Sequence, residues 1–323
     1  MKRIVVLAAG GSISLKRGPM VDGAVPSLRG DDFLALLPRD EFQLAFAEYL
    51  NVPGSHRTPA QVLELAQKAE SILLAPNVDG LVITHSTDTL EETAYLLDLT
   101  INSPKPVVVT GASRSAASPS YDGISNLIAA IRVAAASEAR GQGTLVVFHD
   151  SIYAAAEVQQ VHSQALNGFD APWSGALGQV EGGQIWLRRK VAQRTYIPCS
   201  RLEERVDLIR IGQGAEDRML RHSINDNVAG IVIEAFGSGR VPPWWLPYIR
   251  EAIQQRIAVA IAPRCGAGSL YDDFGFVGGF HDLRKSGVLF AHQLDGLKAR
   301  IKLMVALGAA RGMDEVRSWF EKS

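Results

Sequence analysis

Short apolar runs that alternate with helical patterns constrain the fold of this chain more than any other feature. The runs in the first half are RIVVLAAG, GLVITHS, PVVVTGA and TLVVFHD. Runs of this kind are typical of strands buried on both faces of a parallel sheet. Helical spacing follows in TPAQVLELAQKAESILLA, DTLEETAYLLDLTI and GISNLIAAIRVAAASEA, and Thr58 with Pro59 predicts the start of the first helix. This alternation predicts a doubly wound α/β domain.

The pattern loosens between Lys190 and Arg205, and strands and helices then alternate again. A chain of 323 residues is also too long for one ordinary domain. We therefore predict an α/β protein with two domains. The larger N-terminal domain, residues 1–190, contains a doubly wound, mainly parallel sheet; residues 191–204 form a linker, and residues 205–323 form a smaller C-terminal α/β domain.

The composition argues against several classes of partner. Hydrophobic residues make up 47% of the chain and charged residues 21%, and the net charge is -1 with scattered Lys and Arg. This charge pattern argues against binding of nucleic acid or of an anionic membrane. The apolar stretch of MKRIVVLAA is shorter than a secretory signal needs, and no run approaches the ~20 apolar residues of a membrane span. The sequence predicts a cytoplasmic protein.

Three further features favour structural roles. Cys199 and Cys265 lie far apart and match no metal-ligand spacing, which predicts structural thiols and no metal site. Trp244-Trp245, at the start of an amphipathic helix, predict core or subunit contacts. The adjacent acids Asp272-Asp273 lie in a glycine-rich loop, which is typical of a solvated turn.

Polar side chains crowd the positions at which the predicted strands end. These groups are Gly10-Gly11-Ser12, His85-Ser86-Thr87-Asp88-Thr89, Gly111-Ala112-Ser113-Arg114 and His149-Asp150-Ser151. Ligands of open parallel sheets bind outside the carboxyl ends of the strands. We therefore expect the functional site along this edge of the first sheet.

The residues alone leave two of these groups open to more than one interpretation. Gly10-Gly11 lacks the third glycine of a dinucleotide-binding fingerprint, so Ser12 is either a turn hydroxyl or a presented nucleophile. In the second group, Asp88 or Thr89 is a candidate helix cap, with a following glutamate completing a capping box. A cap accounts for one side chain, whereas four hydroxyls and a carboxylate stand there, so anion binding at the helix N-terminus is the alternative.

Two of these motifs resemble a known family. AGGSI at residues 9–13 and THSTDTLEETA at residues 84–94 resemble the TGGTI and HGTDTxEETA motifs of the L-asparaginase (asparaginase/glutaminase) amidohydrolases. The similarity continues through VVVTGASRSAASPSYDGISNL and through the C-terminal stretch from RCGAGSL to KARIKLMVALG. The resemblance spans nearly the whole chain and implies the two-domain asparaginase fold.

The resemblance also implies a reaction and its residues. The family hydrolyses a side-chain amide through a covalent acyl-enzyme, without a metal or an organic cofactor. Ser12 matches the nucleophilic threonine of the first loop, while Thr87 and Asp88 match the second motif, Asp88 also holding the substrate's α-ammonium. Ser55, in VPGSHRT, matches the serine that binds the α-carboxylate, and His56 occupies the neighbouring binding position.

The chain departs from the family pattern within this implied site. Serine replaces threonine at Ser12, glycine at Ser86 and methionine at Ser113. The register of EVQQVHSQALNGF places Gln160 at the position of the family's catalytic lysine, and a glutamine amide cannot take up a proton. We expect the substrate pocket to be lined, besides Ser55 and His56, by Gly11, Ser86, Ala112 and Ser113.

The missing lysine leaves two functions to weigh. In the leading hypothesis the chain is an amidohydrolase that acts on an asparagine-like carboxamide through Ser12, with the proton passing to Asp88, His56 or His162. In the second hypothesis it is a binding protein or pseudoenzyme that retains the amino-acid pocket. The incomplete glycine motif disfavours a nucleotide enzyme.

The resemblance implies further copies of the chain as partners. Asparaginases are homodimers or homotetramers in which a neighbouring C-terminal domain completes each site. Here that contribution comes from AFGSGRVPP, where Arg240 replaces an asparagine and favours a substrate with an additional anionic group. The segment Ser14–Ser27 resembles the family's mobile lid. We expect a small-molecule amide or amino acid as the other partner.

Overall fold

The change of sequence pattern after Lys190 coincides with a division of the chain into two units, Met1–Arg194 and Thr195–Ser323. The structure is a computed structural model that describes residues 1–17, 24–26, 30–34, 36–37 and 41–321. The division falls within residues 191–204, where the sequence predicts a linker.

The apolar runs of the first unit form strands, and the helical patterns between them form helices, as predicted. The strands are β1 (Arg3–Ala8), β2 (Leu15–Arg17), β3 (Ala24–Pro26), β4 (Gln43–Glu48), β5 (Gly80–Thr84), β6 (Val107–Thr110), β7 (Thr144–Phe148), β8 (Ser151–Ala154), β9 (Gln159–Gln160), β10 (Phe169–Asp170), β11 (Gly178–Glu181) and β12 (Gln184–Leu187). The helices are α1 (Gly30–Leu34), α2 (Pro59–Leu74), α3 (Leu90–Thr100) and α4 (Gly123–Ala135). Short 3₁₀ turns lie at Ser12–Ser14, Gly54–His56, Thr87–Thr89 and Ser137–Ala139.

Eight of the described strands form one large sheet with the order β12-β11-β8-β7-β6-β5-β1-β4, and β2-β3 and β9-β10 form two separate pairs. Strands β4, β1, β5, β6 and β7 run parallel to one another. Strands β8, β11 and β12 extend the sheet in antiparallel pairs, so the sheet is mixed. The larger domain thus has the mainly parallel sheet that the sequence predicts, with an antiparallel extension that was not predicted.

Two tight turns account for this extension. His149 and Asp150 both adopt positive φ angles, 47° and 60°, which lets β8 fold back directly beside β7. Gly182 and Gly183, with φ angles of 56° and 81°, join β11 to β12 in the same way. Two-residue hairpins favour residues with positive φ. The Gly-Gly pair within EGGQ was therefore a hairpin signal in the sequence.

Helices pack on both faces of the parallel strands, which is why these strands are apolar throughout. Every residue of β5, β6 and β7 is buried. One face, including Ile4, Val82 and Val108, packs against α4. Successive side chains of a strand point to opposite faces, and α2 and α3 also contact the sheet. This is the doubly wound arrangement, and each fully buried aliphatic side chain contributes about 1.5–3 kcal/mol.

Helix α2 begins where the sequence predicts. The Thr58 side chain accepts a hydrogen bond from the Gln61 main-chain N–H at 3.3 Å, and the Gln61 side chain accepts one from the Thr58 N–H at 3.0 Å. This reciprocal pair is a capping box, and Pro59 occupies the first helical turn, where its missing N–H has no cost.

The predicted lid, Ser14–Ser27, is described only in part. Its ends form an antiparallel pair in which Leu15 of β2 lies opposite Pro26 of β3. Residues 18–23 and 27 lie outside the described residues, and the prediction of a lid lies outside them as well.

The second unit is a smaller α/β domain, as predicted. Its strands are β13 (Val206–Arg210), β14 (Gly230–Ala235), β15 (Ala258–Pro263) and β16 (Leu289–Phe290). Its helices are α5 (Arg218–Asn225), α6 (Leu246–Gln254), α7 (Phe280–Ser286), α8 (Gly296–Ala309) and α9 (Met313–Glu321). The described strands form a parallel sheet in the simple order β13-β14-β15-β16. Trp245 is buried in its core, whereas Trp244 is half-exposed.

Candidate active site

The order of the parallel strands places the candidate residues at one point of the first sheet. From β1 the chain passes to β4 on one side, and it then crosses back to β5 on the other side of β1. The carboxyl ends of the strands at such a reversal leave a crevice in which ligands of α/β proteins bind. Ser12 follows β1 and Thr87 follows β5, so both stand at this reversal.

The loop after β1 is a tight turn that glycine alone accommodates. Gly10 and Gly11 have φ angles of 84° and 94°, and a Cβ on Gly11 would lie 2.5 Å from the main chain of His85. The missing side chain therefore lets the turn lie against the loop after β5. Ser12 follows at once, and its Oγ donates a hydrogen bond to the Ala112 carbonyl at 2.5 Å.

The loop after β5 packs against the loop that carries Ser55 and His56. A Cβ on Gly54 would lie 2.7 Å from the Cβ of Ser86 and 2.9 Å from the Oγ1 of Thr89. Ser55 and His56 are both exposed in this turn. The structure therefore brings these two residues beside the Thr87–Thr89 turn, as the motif match predicts.

The sequence allows a side chain of this loop to cap helix α3, and the structure shows no such capping hydrogen bond from Thr89. Thr89 occupies the N-cap position of α3 but makes no capping hydrogen bond with its side chain. Its Oγ1 donates to the Gly54 carbonyl at 3.4 Å instead. Asp88 is exposed and accepts a hydrogen bond from the Ser86 Oγ at 3.0 Å. The hydroxyl of Thr87 has no hydrogen-bond partner among the described residues, so it is available to a ligand.

His85 is a buried, neutral side chain that hydrogen-bonds to this loop and to helix α3. Its Nδ1 donates to the Ser86 carbonyl at 2.9 Å, and its Nε2 accepts from the Thr93 hydroxyl at 3.0 Å. Because it is fully buried, and secondly because Arg57 is nearby, its pKa falls from 6.5 to about 4. Both ring nitrogens are occupied, so His85 supports the main chain of Ser86 and has no lone pair for a substrate.

Arg57 is a site residue that the sequence interpretation missed. Its Nη2 donates to the carbonyl of Ala9, just before the glycine turn, at 2.5 Å and to the carbonyl of Leu50 at 2.8 Å. Its guanidinium carbon lies 5.5 Å from the centre of the Tyr49 ring. Arg57 thus links the ends of β1 and β4 to the Ser55–His56 turn. A basic residue directly after these two was the signal available in the sequence.

The loop after β6 forms another wall. Gly111 is required there, because a Cβ would lie 2.5 Å from the His85 carbonyl. The buried Ala112 supplies the carbonyl that accepts from Ser12. Ser113 turns its Oγ away to the Ala165 carbonyl, at 3.0 Å. Of the residues predicted to line the pocket, Ala112 bonds to Ser12 and Ser86 lies against Gly11, whereas the side chain of Ser113 bonds to the loop between β9 and β10.

Known proteins resemble this chain along nearly its whole length. The family model of the asparaginase N-terminal domain matches residues 3–193, and that of the glutaminase/asparaginase C-terminal domain matches residues 205–320. The L-asparaginase of Bacillus licheniformis is 33% identical over 310 residues, covering 95% of this chain and 96% of that protein. The glutaminase-asparaginase of Acinetobacter glutaminasificans is 28% identical over 331 residues, 98% of each chain.

A solved structure also matches along the full length. It is a probable cytoplasmic L-asparaginase from Campylobacter jejuni, with a TM-score of 0.87, 29% identity and 100% coverage of both chains. The chain belongs to the asparaginase family. It is accordingly an amidohydrolase, since asparaginase homologues are hydrolases that act on C–N bonds of linear amides.

The asparaginase motif match places Gln160 at the lysine position, and the structure gives Gln160 a local partner. Gln160 lies half-buried on β9 opposite Phe169, and its Nε2 donates to the His162 carbonyl at 3.5 Å. In the described part of the chain, no hydrogen bond joins Gln160 to Ser12 or Thr87.

His162 is a poor candidate for the base. Its Nδ1 accepts hydrogen bonds from the main-chain N–H groups of Gln164 and Ala165, each at 3.1 Å. These bonds place the proton of the neutral ring on Nε2, so neither nitrogen offers a free lone pair. Of the three proposed bases, Asp88 and His56 therefore stay available.

In the second unit, Arg240 is held within its own chain. Its Nε donates to the Asp272 carboxylate at 2.8 Å, and its guanidinium carbon lies 4.6 Å from the ring centre of Phe274 and 5.9 Å from that of Phe276. The side chain of Asp272 is only 3% exposed. The expectation of a solvated turn at Asp272 is therefore wrong, since a paired and buried carboxylate orders this loop.

Two further properties of the described residues bear on function. They contain no group of three or more His, Cys, Asp or Glu side chains placed to hold a metal ion. No helix within the described ranges has the length and apolar character needed to cross a membrane.

Proposed function

We propose that this chain hydrolyses the side-chain amide of asparagine, glutamine or a related carboxamide through a covalent acyl-enzyme on Ser12. The observation that carries this proposal is the position of the Ser12 hydroxyl. It stands at the reversal of strand order, on a glycine turn that contacts the loop of Thr87 and Asp88. Sites in α/β proteins form at such reversals, and the family relatives include asparaginases and glutaminase-asparaginases.

In the proposed reaction the Ser12 Oγ attacks the amide carbon, and an O–C bond forms as the hydroxyl loses its proton. Main-chain N–H groups of Gly11–Ser12 and Thr87–Asp88 stabilise the resulting oxyanion. The C–N bond then breaks, and ammonia leaves after taking up a proton. Water attacks the Ser12 ester, releases the carboxylate product and restores the hydroxyl. Neither a metal nor an organic cofactor takes part.

The proton of Ser12 requires an acceptor other than its present partner. A main-chain carbonyl such as that of Ala112 orients a hydroxyl but does not take up its proton. We assign this step to Asp88 or His56, with the Thr87 hydroxyl assisting. General acid–base help of this kind is worth typically about 10²–10⁴-fold.

Recognition of the substrate is assigned to the same loops. Ser55 binds the α-carboxylate, Asp88 holds the α-ammonium, and His56 lies at the neighbouring binding position. We further propose that the chain assembles as a homodimer or homotetramer, in which Arg240 of a neighbouring copy approaches the site. A cytoplasmic location is also proposed; the Campylobacter relative is described as probably cytoplasmic and the Haemophilus influenzae relative as probably periplasmic.

The test is an ammonia-release screen over asparagine, glutamine, their D-forms and N-substituted amides. It is run beside Ser12→Ala, and rapid quenching followed by peptide mass spectrometry locates the acyl group. We expect ammonia from at least one amide, an acyl adduct on Ser12 and loss of both in Ser12→Ala. Turnover that persists in Ser12→Ala would refute the assignment of the nucleophile.

The presence of Gln160 favours one second candidate, a binding protein without turnover. In that case calorimetry shows tight binding of aspartate, and the screen releases no ammonia from any amide.

A further inference from the structure

The N-terminal end of α4, together with the two residues before it, contacts both loops around the Ser12 hydroxyl. Tyr121, two residues before the helix, donates its phenolic hydrogen to the Ile13 carbonyl at 2.6 Å. Ile13 is the residue after Ser12 and lies within the same 3₁₀ turn. The ring of Tyr121 lies directly over Gly123, where a Cβ would collide with it. The phenol therefore has a defined place, and its hydrogen bond ends one residue from the nucleophile.

The next residues of the same turn fix the partner of Ser12. Asp122 accepts hydrogen bonds from the N–H groups of Ser113 at 3.0 Å and Arg114 at 2.9 Å. Asn126 donates to the Gly111 carbonyl at 3.0 Å. The carbonyl of Ala112, which accepts from Ser12, thus lies between residues that are held on both sides.

We propose that Tyr121 is a positioning residue for the nucleophile. Its hydrogen bond to the Ile13 carbonyl holds the Ser12 turn, and it thereby keeps the Ser12 hydroxyl aligned with the Ala112 carbonyl. The proposal deepens the proposed function and rests on it. Asp122 and Asn126 fix one end of the Ser12 hydrogen bond, and Tyr121 fixes the other. Serine lacks the methyl group that restricts the rotamers of threonine, so the main chain around Ser12 has to supply the restriction.

Burial and, secondly, the nearby Asp122 raise the pKa of Tyr121 above its ordinary value of 10.0. The phenol therefore stays protonated and remains a donor throughout the range in which the enzyme would be assayed. A displacement of about 1 Å at a reacting group costs on the order of 10²-fold in rate, so even a modest shift of the turn has a measurable effect.

Tyr121→Phe is the direct test, because it removes the hydroxyl and keeps the ring over Gly123. We expect kcat to fall about tenfold or more, while KM changes by less than about threefold. The matched control is Thr100→Val at the end of α3, which also loses a hydroxyl-to-carbonyl hydrogen bond (Thr100 Oγ1 to the Leu96 carbonyl, 2.7 Å) in a buried position. Thr100→Val lowers thermal stability and leaves kcat unchanged.

A second measurement reports on the turn without turnover. The Ser14 N–H donates to the Gly11 carbonyl at 3.0 Å and closes the turn. In Tyr121→Phe we expect hydrogen–deuterium exchange at Ser14 to become about tenfold faster, with no such change in Thr100→Val. Unchanged exchange at Ser14, or equal losses of kcat in the two variants, would overturn the inference.

Ser12→Ala, measured alongside, separates this inference from the proposed function. An inactive Ser12→Ala with wild-type kcat in Tyr121→Phe means that Tyr121 does not position the nucleophile, although Ser12 is the nucleophile. Activity in Ser12→Ala means that the proposed function itself fails. If no amide releases ammonia from the wild-type protein, the exchange at Ser14 alone decides whether Tyr121 holds the turn.

Discussion

The parallel strands of the two units differ in their order, and the difference accounts for the position of the candidate site. In the first sheet the order of the parallel strands reverses at β1, with β4 on one side and β5 on the other. The described strands of the second sheet follow one another in sequence order. A reversal sends the loops of neighbouring strands to opposite sides and opens a crevice between them. The second sheet has no reversal among its described strands, so strand order alone creates no such crevice there.

The residues at the two carboxyl edges differ in the same way. At the first edge, hydroxyls such as that of Ser12 bond to main-chain carbonyls or stay available, as at Thr87. At the second edge the charged groups bond to one another: Arg240 to Asp272 at 2.8 Å and Lys298 to Asp295 at 2.8 Å. A paired charge stabilises its own loop within the chain. The same strand–helix plan therefore carries hydroxyl groups at one edge and ion pairs at the other.

The largest predicted effect tests this contrast between two serines. Ser12→Ala is expected to lower the rate of ammonia release by about 10³-fold or more, because it removes the nucleophile. Ser223→Ala in the second unit removes a hydrogen bond of 2.6 Å to the Asp207 carboxylate. It is expected to lower the melting temperature by several degrees and leave the rate unchanged. A large loss of rate in Ser223→Ala would remove the distinction between the two units.

The next effect concerns two histidines and pH. The pKa of His85 falls from 6.5 to about 4 on folding, so between these values the unfolded chain binds a proton that the folded chain does not. The free energy of unfolding is therefore fully retained above pH 6.5 and decreases as the pH falls through this window. We expect His85 to account for a loss of about 2 kcal/mol by about pH 5.

Urea unfolding of His85→Asn at about pH 7.5 and about pH 5 measures this contribution. Asparagine can still donate to the Ser86 carbonyl but does not titrate, so the variant should lose less stability on acidification than the wild-type protein does. His292 of the second unit, half-buried and with its pKa lowered by burial and by Lys302, provides the comparison. His292→Asn should change the acid dependence less than His85→Asn does. Equal pH dependence in the wild-type protein and His85→Asn would contradict the role of His85.

A smaller effect compares two arginines in similar settings. Arg57 donates to the Ala9 carbonyl after β1, and Arg264 donates to the Ile211 carbonyl after β13 at 3.2 Å. Each guanidinium also lies against an aromatic ring, Tyr49 or Phe236. Lysine keeps the charge but lacks the planar fork of donors.

We expect Arg57→Lys to lower kcat/KM about tenfold, since the Ser12 turn and the Ser55–His56 turn lose their common anchor. Arg264→Lys is expected to change kcat/KM by less than about twofold. Steady-state ammonia release by the two variants checks the pair, and equal losses would show that anchoring a strand end has no special value at the first edge.

The pattern of the sequence predicts most of the fold for a simple reason. Strands buried on both faces must be apolar throughout, so β1, β5, β6 and β7 are legible as runs. Strands β8, β11 and β12 lie at the end of the sheet with mixed burial, and they lack such runs. Their positions depend on the turns at Gly182-Gly183, which the sequence signals as a Gly-Gly hairpin, and at His149-Asp150, which only the dihedral angles reveal.

The site was predictable where its chemistry lies in short motifs. Ser12, Thr87 and Asp88 follow strand ends directly, so topology brings them together. Tyr121 and Arg57 act on main-chain carbonyls 108 and 48 residues away. A carbonyl is present at every residue, so the sequence carries no sign of which one is the acceptor. Positioning residues are therefore harder to predict than the groups they position.

The smallest effect is expected from a variant that places a cation at the first edge. Gln160→Lys supplies the residue type that the motif match implies for this position, and Gln159→Lys is the matched control one residue earlier, on the opposite face of the strand. If the proton of Ser12 passes to Asp88 or His56, the new lysine is not part of the path. The present partner of Gln160 is also the carbonyl of its own loop at His162. Both variants should then change kcat/KM by less than about threefold.

A gain of about 10²-fold in Gln160→Lys alone would show that the site is an asparaginase site lacking its base. The first edge would in that case have lost a charge that catalysis needs, and the contrast with the ion-paired second edge would reflect loss of function rather than a different use of the same fold.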